Sequence, residues 1–284
     1  MKIVHRTWAT EGRQPAFPAE EARRRVLRAL ASVAGGAIVL FAVVDDHVHL
    51  VLSLPPSPLH RLQASITKVL NHRSAVRFSP PFLRPVVTRT HLESLVGYCL
   101  NQTPHHGLAE DPAMATGSCF ADLIGARRIP GLALPLPAVL PRFQMATAFA
   151  AVDLPVDLQA ADAGALRHLG AARLAEVVAE TLCVGPGFSG NAARVAEARR
   201  VAARLAIDVG FRPRDIAEPL EVTPIAVARL ANRPVEEADL RSVRKRVALL
   251  AAVSGRRLSP ELVRERPPLA YRVGESVGES VGLT

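Results

Sequence analysis

Aromatic residues are scarce. Phe, Tyr and Trp make up 4% of the 284 residues, with one Trp and two Tyr. A rich stacking platform for single-stranded nucleic acid is therefore not available: near the motifs described below only Trp8, Phe78 and Phe82 offer rings. The three cysteines, Cys99, Cys119 and Cys183, form no CxxC pair and no even set. That excludes a disulfide framework, argues against a structural zinc site, and fits a reducing compartment. The longest apolar run, 29–44, is interrupted by Gly35-Gly36 and is too short to span a bilayer. The first apolar run follows Arg23-Arg24-Arg25 rather than a signal-peptide pattern, so the expectation is a cytoplasmic protein without a membrane partner.

Basic charge is plentiful. Net charge is +9 and the pI about 10.6, which favours a polyanionic partner. Residues 1–130 hold 15 Lys/Arg against 9 Asp/Glu, and residues 190–257 hold 14 against 8. The intervening 131–189 is slightly acidic, with 3 against 5. Two basic blocks around an acidic spacer suggest two nucleic-acid contacts. An Arg enrichment set by base composition is the plainer alternative for either block taken singly.

Along the chain, Lys2 to Trp8 alternates as a first strand, and Pro18-Ala-Glu-Glu21 opens a helix that stops at Gly35-Gly36. A buried strand over 37–44 turns at Asp45-Asp46 into an antiparallel strand carrying His47-Val48-His49. Prolines 55, 56 and 58 precede a basic helix over 59–77. Pro80-Pro81 and Pro85 mark an extended stretch, with Val86-Val87 as an edge strand. A helix over 92–102 follows, with Thr90 as its cap and Leu92, Leu95, Val96 and Cys99 as its apolar stripe. The order β-α-β-β-α-β-α predicts an α+β fold, a small antiparallel sheet with helices on one face.

Two positions apart on a strand, His47 and His49 project from the same side, where two imidazoles can grip a divalent metal or a phosphate. Alone the pair is unspecific, and two satisfied sheet histidines are the plain alternative. Tyr98 and Gln102 lie four apart, one helical turn from each other. A metal held by His47, His49 and the Gln102 amide oxygen would leave open positions beside the Tyr98 hydroxyl. That suits attack of the phenol on a phosphodiester. A free phenol has a pKa near ~10 and is ionised only about once in a thousand at neutral pH, so a cation beside it matters. Two imidazoles and an amide suit Mg²⁺ or Mn²⁺ when substrate phosphate completes the set.

The runs Asp45-Asp46-His47-Val48-His49-Leu50-Val51-Leu52 and Tyr98-Cys-Leu-Asn-Gln102-Thr-Pro104-His-His-Gly107 together resemble the HUH single-strand DNA transposases that use one tyrosine, in particular the REP-associated tyrosine transposases. The resemblance covers about residues 1–130. It implies a ferredoxin-like sheet, metal ligation by His47, His49 and Gln102, and Tyr98 joined covalently to a DNA 5′ phosphate. It also implies a monomer or a homodimer. Two departures stand out: Asp46 replaces the usual Asn, and the Trp-rich segment after the tyrosine helix is replaced by 117–125.

Lys68, Arg73, Arg77, Arg84 and Arg89 fall between the two motifs and are candidates to line a track for single-stranded DNA, a solvated helix face being the alternative. Residues 131–160 read as a Pro-rich linker. Helical pattern resumes over 162–183 and 191–209. Two short helices over 212–220 and 223–233, the second opened by Thr223-Pro224, then read as a helix-turn-helix within a DNA-binding domain spanning 161–257. This part resembles the helical DNA-binding domain of the bacterial replication initiator. Thr223, Ile225, Ala226 and Arg229 would then face the major groove, and Arg212 and Arg214 would meet phosphates. A small bundle packed on the first domain is the alternative. The tail 258–284, with its repeated Val-Gly-Glu-Ser, is expected to be disordered. Three functions compete: a metal-dependent DNA strand transferase, a non-catalytic DNA-binding regulator recognising hairpins or duplex, and a metal hydrolase without a covalent step.

Overall fold

A computed structural model describes residues 2–257 apart from 55–58, 109, 157, 186–187 and 189–191. The expected tail over 258–284 and the prolines before the basic helix lie outside the described residues. The protein is α+β. Strands β1 (Lys2–Ala9), β2 (Ile38–Val43), β3 (His47–Leu54) and β4 (Phe82–Pro85) form one antiparallel sheet in the order β2-β3-β1-β4. All eight residues of β3 are buried, as expected for an inner strand covered on both faces. Thr7 stands opposite His49, and Ala9 opposite His47. The alternation of side chains therefore puts His5, Thr7, His47 and His49 on one face and Trp8, Val48 and Leu50 on the other.

Helices cover both faces, not one. Helix α1 (Glu20–Ala34) packs against α2 (Leu59–Arg73). Trp8, fully buried, donates its indole N–H to the Thr67 hydroxyl of α2 at 2.9 Å, which puts α2 on the Trp8 face. Helix α3 (Arg89–Leu100) stands on the histidine face, where Tyr98 meets the rings of His5 and His49. The physical reason is the apolar content of β3: Leu50, Leu52 and Leu54 on one side and Val51 on the other all have to leave water.

Several boundaries differ from expectation. Helix α2 ends at Arg73, four residues early, because Asn71 Oδ1 accepts the N–H of Phe78 and turns the chain back. The edge strand is Phe82–Pro85 rather than Val86-Val87; β4 pairs with β1 alone, and an edge tolerates the missing N–H of Pro85. Thr88, not Thr90, caps α3 by accepting from the N–H of His91. Gln102 is not on α3: Asn101 ends that helix, and Gln102 opens the short α4 (Gln102–His105).

Residues 113–126 dock on the edge of β2 by an Ala42–Ser118 bridge and pass through α5 (Phe120–Leu123). A Cβ on Gly117 would fall 1.8 Å from the carbonyl oxygen of Val43, so this approach needs glycine. Arg127 locks the segment, donating to the Thr116 and Ser118 carbonyls at 2.7 Å each and pairing with buried Asp122. Residues 131–160 are not a free linker. Helices α6 (Leu136–Val139) and α7 (Met145–Ala151) lie here, and Leu136, Leu140, Ala148 and Phe149 join the core under the sheet.

A second core is built by α8 (Ala163–His168), α9 (Ala171–Thr181), α10 (Ala193–Asp208), α11 (Pro213–Ala217), α12 (Pro224–Ala231) and α13 (Glu237–Arg257). The single helix expected over 162–183 is broken between α8 and α9, where Gly170 takes φ +78. The last turns of α13 reach the first core through Leu249 and Val253. Lys245 Nζ donates to the Ile124 carbonyl at 2.8 Å, and Arg128 N–H to the Thr181 carbonyl at 2.7 Å, so the two cores are tied together.

Candidate metal and tyrosine site

The face of β1 and β3 turned toward α3 collects the titratable rings. His49 Nδ1 lies 3.0 Å from Thr7 Oγ1 and 3.2 Å from His5 Nε2, while His49 Nε2 lies 3.4 Å from the Tyr98 hydroxyl. His47 Nδ1 sits 2.5 Å from Asp46 Oδ1, and the other oxygen of Asp46 is 3.2 Å from Arg13. The rings of His47 and His49 are 4.7 Å apart, centroid to centroid, and His106 covers His47 at 4.6 Å. A proton on each Nδ1 satisfies Asp46 and Thr7 and leaves both Nε2 lone pairs as ligand atoms. These tautomers are those the hydrogen-bond partners require.

Gln102 completes the set. Its Nε2 donates to the Tyr98 carbonyl at 3.0 Å, which fixes the amide, and its buried Oε1 has no hydrogen-bond partner. The Gln102 side chain lies close enough to His47 and His49 to oppose the fall in pKa that burial imposes on both rings. A buried acceptor with no hydrogen bond of its own, close to two imidazoles, is a donor set that fits Mg²⁺ or Mn²⁺ completed by phosphate oxygens.

Burial keeps the rings neutral. It pushes His49 well below its ordinary pKa, with His47, His5 and His106 adding to the shift. His47 is lowered by burial too, although Asp46 opposes the change. His5 falls to about 4 through burial and the charges of Arg84 and His91, and His106 to about 4 through burial and the neighbouring His47 and His105. Burial disfavours the Asp46 carboxylate, yet contact with His47 and the charge of Arg13 hold its pKa below the usual range. Neutral imidazoles are the ligating form.

Tyr98, Gln102, His47 and His49 are thus brought together. In the sequence nothing in the spacing ties His5 to the site, His105-His106 read as structural or phosphate-touching rather than as ligands, and Thr7 carries no signal. Thr7 and His5 enter through the β1–β3 register, which no local pattern encodes; the turn after α4 delivers His106.

The expected single-strand track is not continuous. Arg84 on β4 lies opposite His5 and belongs to the histidine face. Arg89 is engaged, donating to Glu93 at 2.8 Å and to the Pro141 carbonyl at 2.6 Å. Lys68 and Arg73 lie on α2, behind the sheet. In the second core, Thr223 caps α12 by accepting the N–H of Ala226 at 3.3 Å, and Ile225 is 68% exposed. Arg229 is exposed, with no ion pair among the described residues. Arg212 and Arg214 are exposed, but Arg212 is paired with Asp215 at 3.1 Å.

No protein-family model, curated protein or solved structure matches the chain. One acidic cluster, Glu197, Glu236 and Asp239, lies away from the histidines. Arg194 reaches Glu197 at 2.6 Å, and Arg128 reaches Asp239 at 2.6 Å and Glu236 at 3.1 Å, so these carboxylates already have cationic partners. Among the described residues no helix is long and apolar enough to cross a membrane.

Proposed function

We propose that the protein is a metal-dependent single-strand DNA strand transferase that cleaves and rejoins DNA through a covalent 5′-phosphotyrosine at Tyr98. The observation that carries this reading is the meeting of the Tyr98 hydroxyl, the His49 Nε2 atom 3.4 Å away and the unpartnered Gln102 oxygen on one face of the sheet. His47, His49 and Gln102 would hold Mg²⁺ or Mn²⁺, which when bound supplies charge to the phosphate oxygens and favours the phenolate. Asp46 and Thr7 hold the two imidazoles in the ligating tautomer. Tyr98, anchored on α3, attacks phosphorus. The P–O3′ bond breaks, the phenolic proton is lost, and a proton ends on the free 3′-hydroxyl. The bond energy stays in the phosphotyrosine for rejoining.

The sheet-and-helix arrangement around this site suits the ferredoxin-like layout of the HUH transposases, with 1–130 as its span. The exposed Ile225 and Arg229 on α12 support a second reading, a regulator that binds duplex DNA through α11 and α12 without cutting it. A labelled hairpin oligonucleotide incubated with Mn²⁺ and run on a denaturing gel separates the possibilities. A covalent adduct that Tyr98→Phe abolishes is expected. Cleavage that survives this change indicates a hydrolase, and binding without cleavage indicates the regulator.

A further inference from the structure

Behind the sheet, α1 and α2 enclose a groove of about 450 Å³ whose lining includes Arg25, Arg28 and Ser32 from one helix and Lys68, His72 and Arg73 from the other. The spacings i, i+3, i+7 on α1 and i, i+4, i+5 on α2 turn these residues toward each other across the gap. Arg25, Lys68 and Arg73 are exposed, and none has an ion pair among the described residues. Arg28 is partly neutralised, pairing with Glu21 at 3.3 Å and donating to the Cys183 carbonyl at 2.8 Å. No carboxylate lines the groove. Three unopposed cations held on rigid helices around one cleft are a strong local field.

We infer that this groove is a second nucleic-acid site, which holds the phosphate backbone of duplex DNA on the face opposite Tyr98. The two cations of α1, Arg25 and Arg28, are about 4.5 Å apart at the rise of an α-helix, and Lys68 and Arg73 face them from α2, against a duplex that presents one negative charge per ~1.7 Å of axis. The groove has no Phe, Tyr or Trp lining and a single imidazole, His72, too little to stack successive unstacked bases, so a duplex backbone suits it better than single-stranded DNA. Its apolar lining, Ala29 and Val69, is half-buried between the helices and offers no anchor for a membrane surface. Contacts of this kind set position and affinity but read no sequence. The site is independent of the chemistry at Tyr98.

The full chain is titrated with a blunt fluorescent duplex of arbitrary sequence over 50–200 mM salt. Replacing Arg25, Lys68 and Arg73 together with Gln is expected to reduce the slope of log K against log salt by about 2.7 units, so the affinity change across that range shrinks about 40-fold. A residual slope from α11 and α12 remains in the variant, and Tyr98→Phe keeps the wild-type slope. In the wild-type chain, duplex is expected to protect Lys68 from acetylation; the other lysines are only Lys2 and Lys245. This second measurement decides the matter if the triple variant does not fold. A wild-type slope in a folded triple variant, or Lys68 acetylated equally fast with and without duplex, overturns the inference. So does binding to anionic vesicles that needs these three residues while duplex binding does not. A missing tyrosine adduct alongside the expected slope change removes only the strand-transferase reading.

Discussion

Replacing Gln102 by Leu separates a metal ligand from an ordinary buried amide. In the metal-free protein the Gln102 side chain makes one hydrogen bond, to the Tyr98 carbonyl at 3.0 Å, and keeps Oε1 buried without a partner. Loss of the bond costs about 1 kcal/mol, and removal of an unsatisfied acceptor returns about 1–3 kcal/mol. Urea unfolding in EDTA should therefore show Gln102→Leu within about 2 kcal/mol of wild type, or slightly more stable. With Mn²⁺ at a hundred times its dissociation constant, the wild-type protein gains ~2.7 kcal/mol. The variant, left with two imidazoles, should lose most of that gain. Two results refute the reasoning: a variant several kcal/mol less stable in EDTA, which would make the amide structural, or a variant with the full Mn²⁺ increment, which would place the cation elsewhere.

Acid should destabilise the metal-free protein before its carboxylates titrate. His5 and His106 have folded pKa values of about 4 against 6.5 when unfolded, so the unfolded chain binds more protons and their contribution, complete above pH 6.5, is lost as pH falls toward 4. From His5 alone the loss between pH 7.5 and 4 is on the order of 3 kcal/mol, and a flat urea midpoint from pH 7 to 5 would contradict it. Arg127→Ala leaves Asp122 charged or protonated in a dry site and should cost about 3–5 kcal/mol by chemical denaturation. Thr223→Ala removes the cap of α12 and should cost about 1 kcal/mol without altering any adduct formed at Tyr98.

The first three strands, the buried His strand among them, and the tyrosine helix are legible in the sequence because each depends on local periodicity. Val-His-Leu-Val-Leu runs as a strand whichever partner it finds, and Leu92, Leu95, Val96 and Cys99 make an apolar stripe in any context. Proline punctuation misled at 131–160. Pro-rich 131–160 looked like a linker because short α6 and α7 give too little periodicity to register, yet Leu136 and Phe149 are core residues. Basic residues between the motifs looked like one track because chain position carries no information on which face of a sheet a helix covers.

By itself the sequence determined that His47 and His49 share one side of a strand and that Tyr98 sits on a helix. Only the tertiary structure decided that these meet, that His5 and Thr7 back the His49 ring, and that Lys68 and Arg73 lie behind the sheet rather than beside the tyrosine. The reason is physical: periodicity fixes directions within one element. Register, and the choice of face, follow from burial summed over the whole sheet.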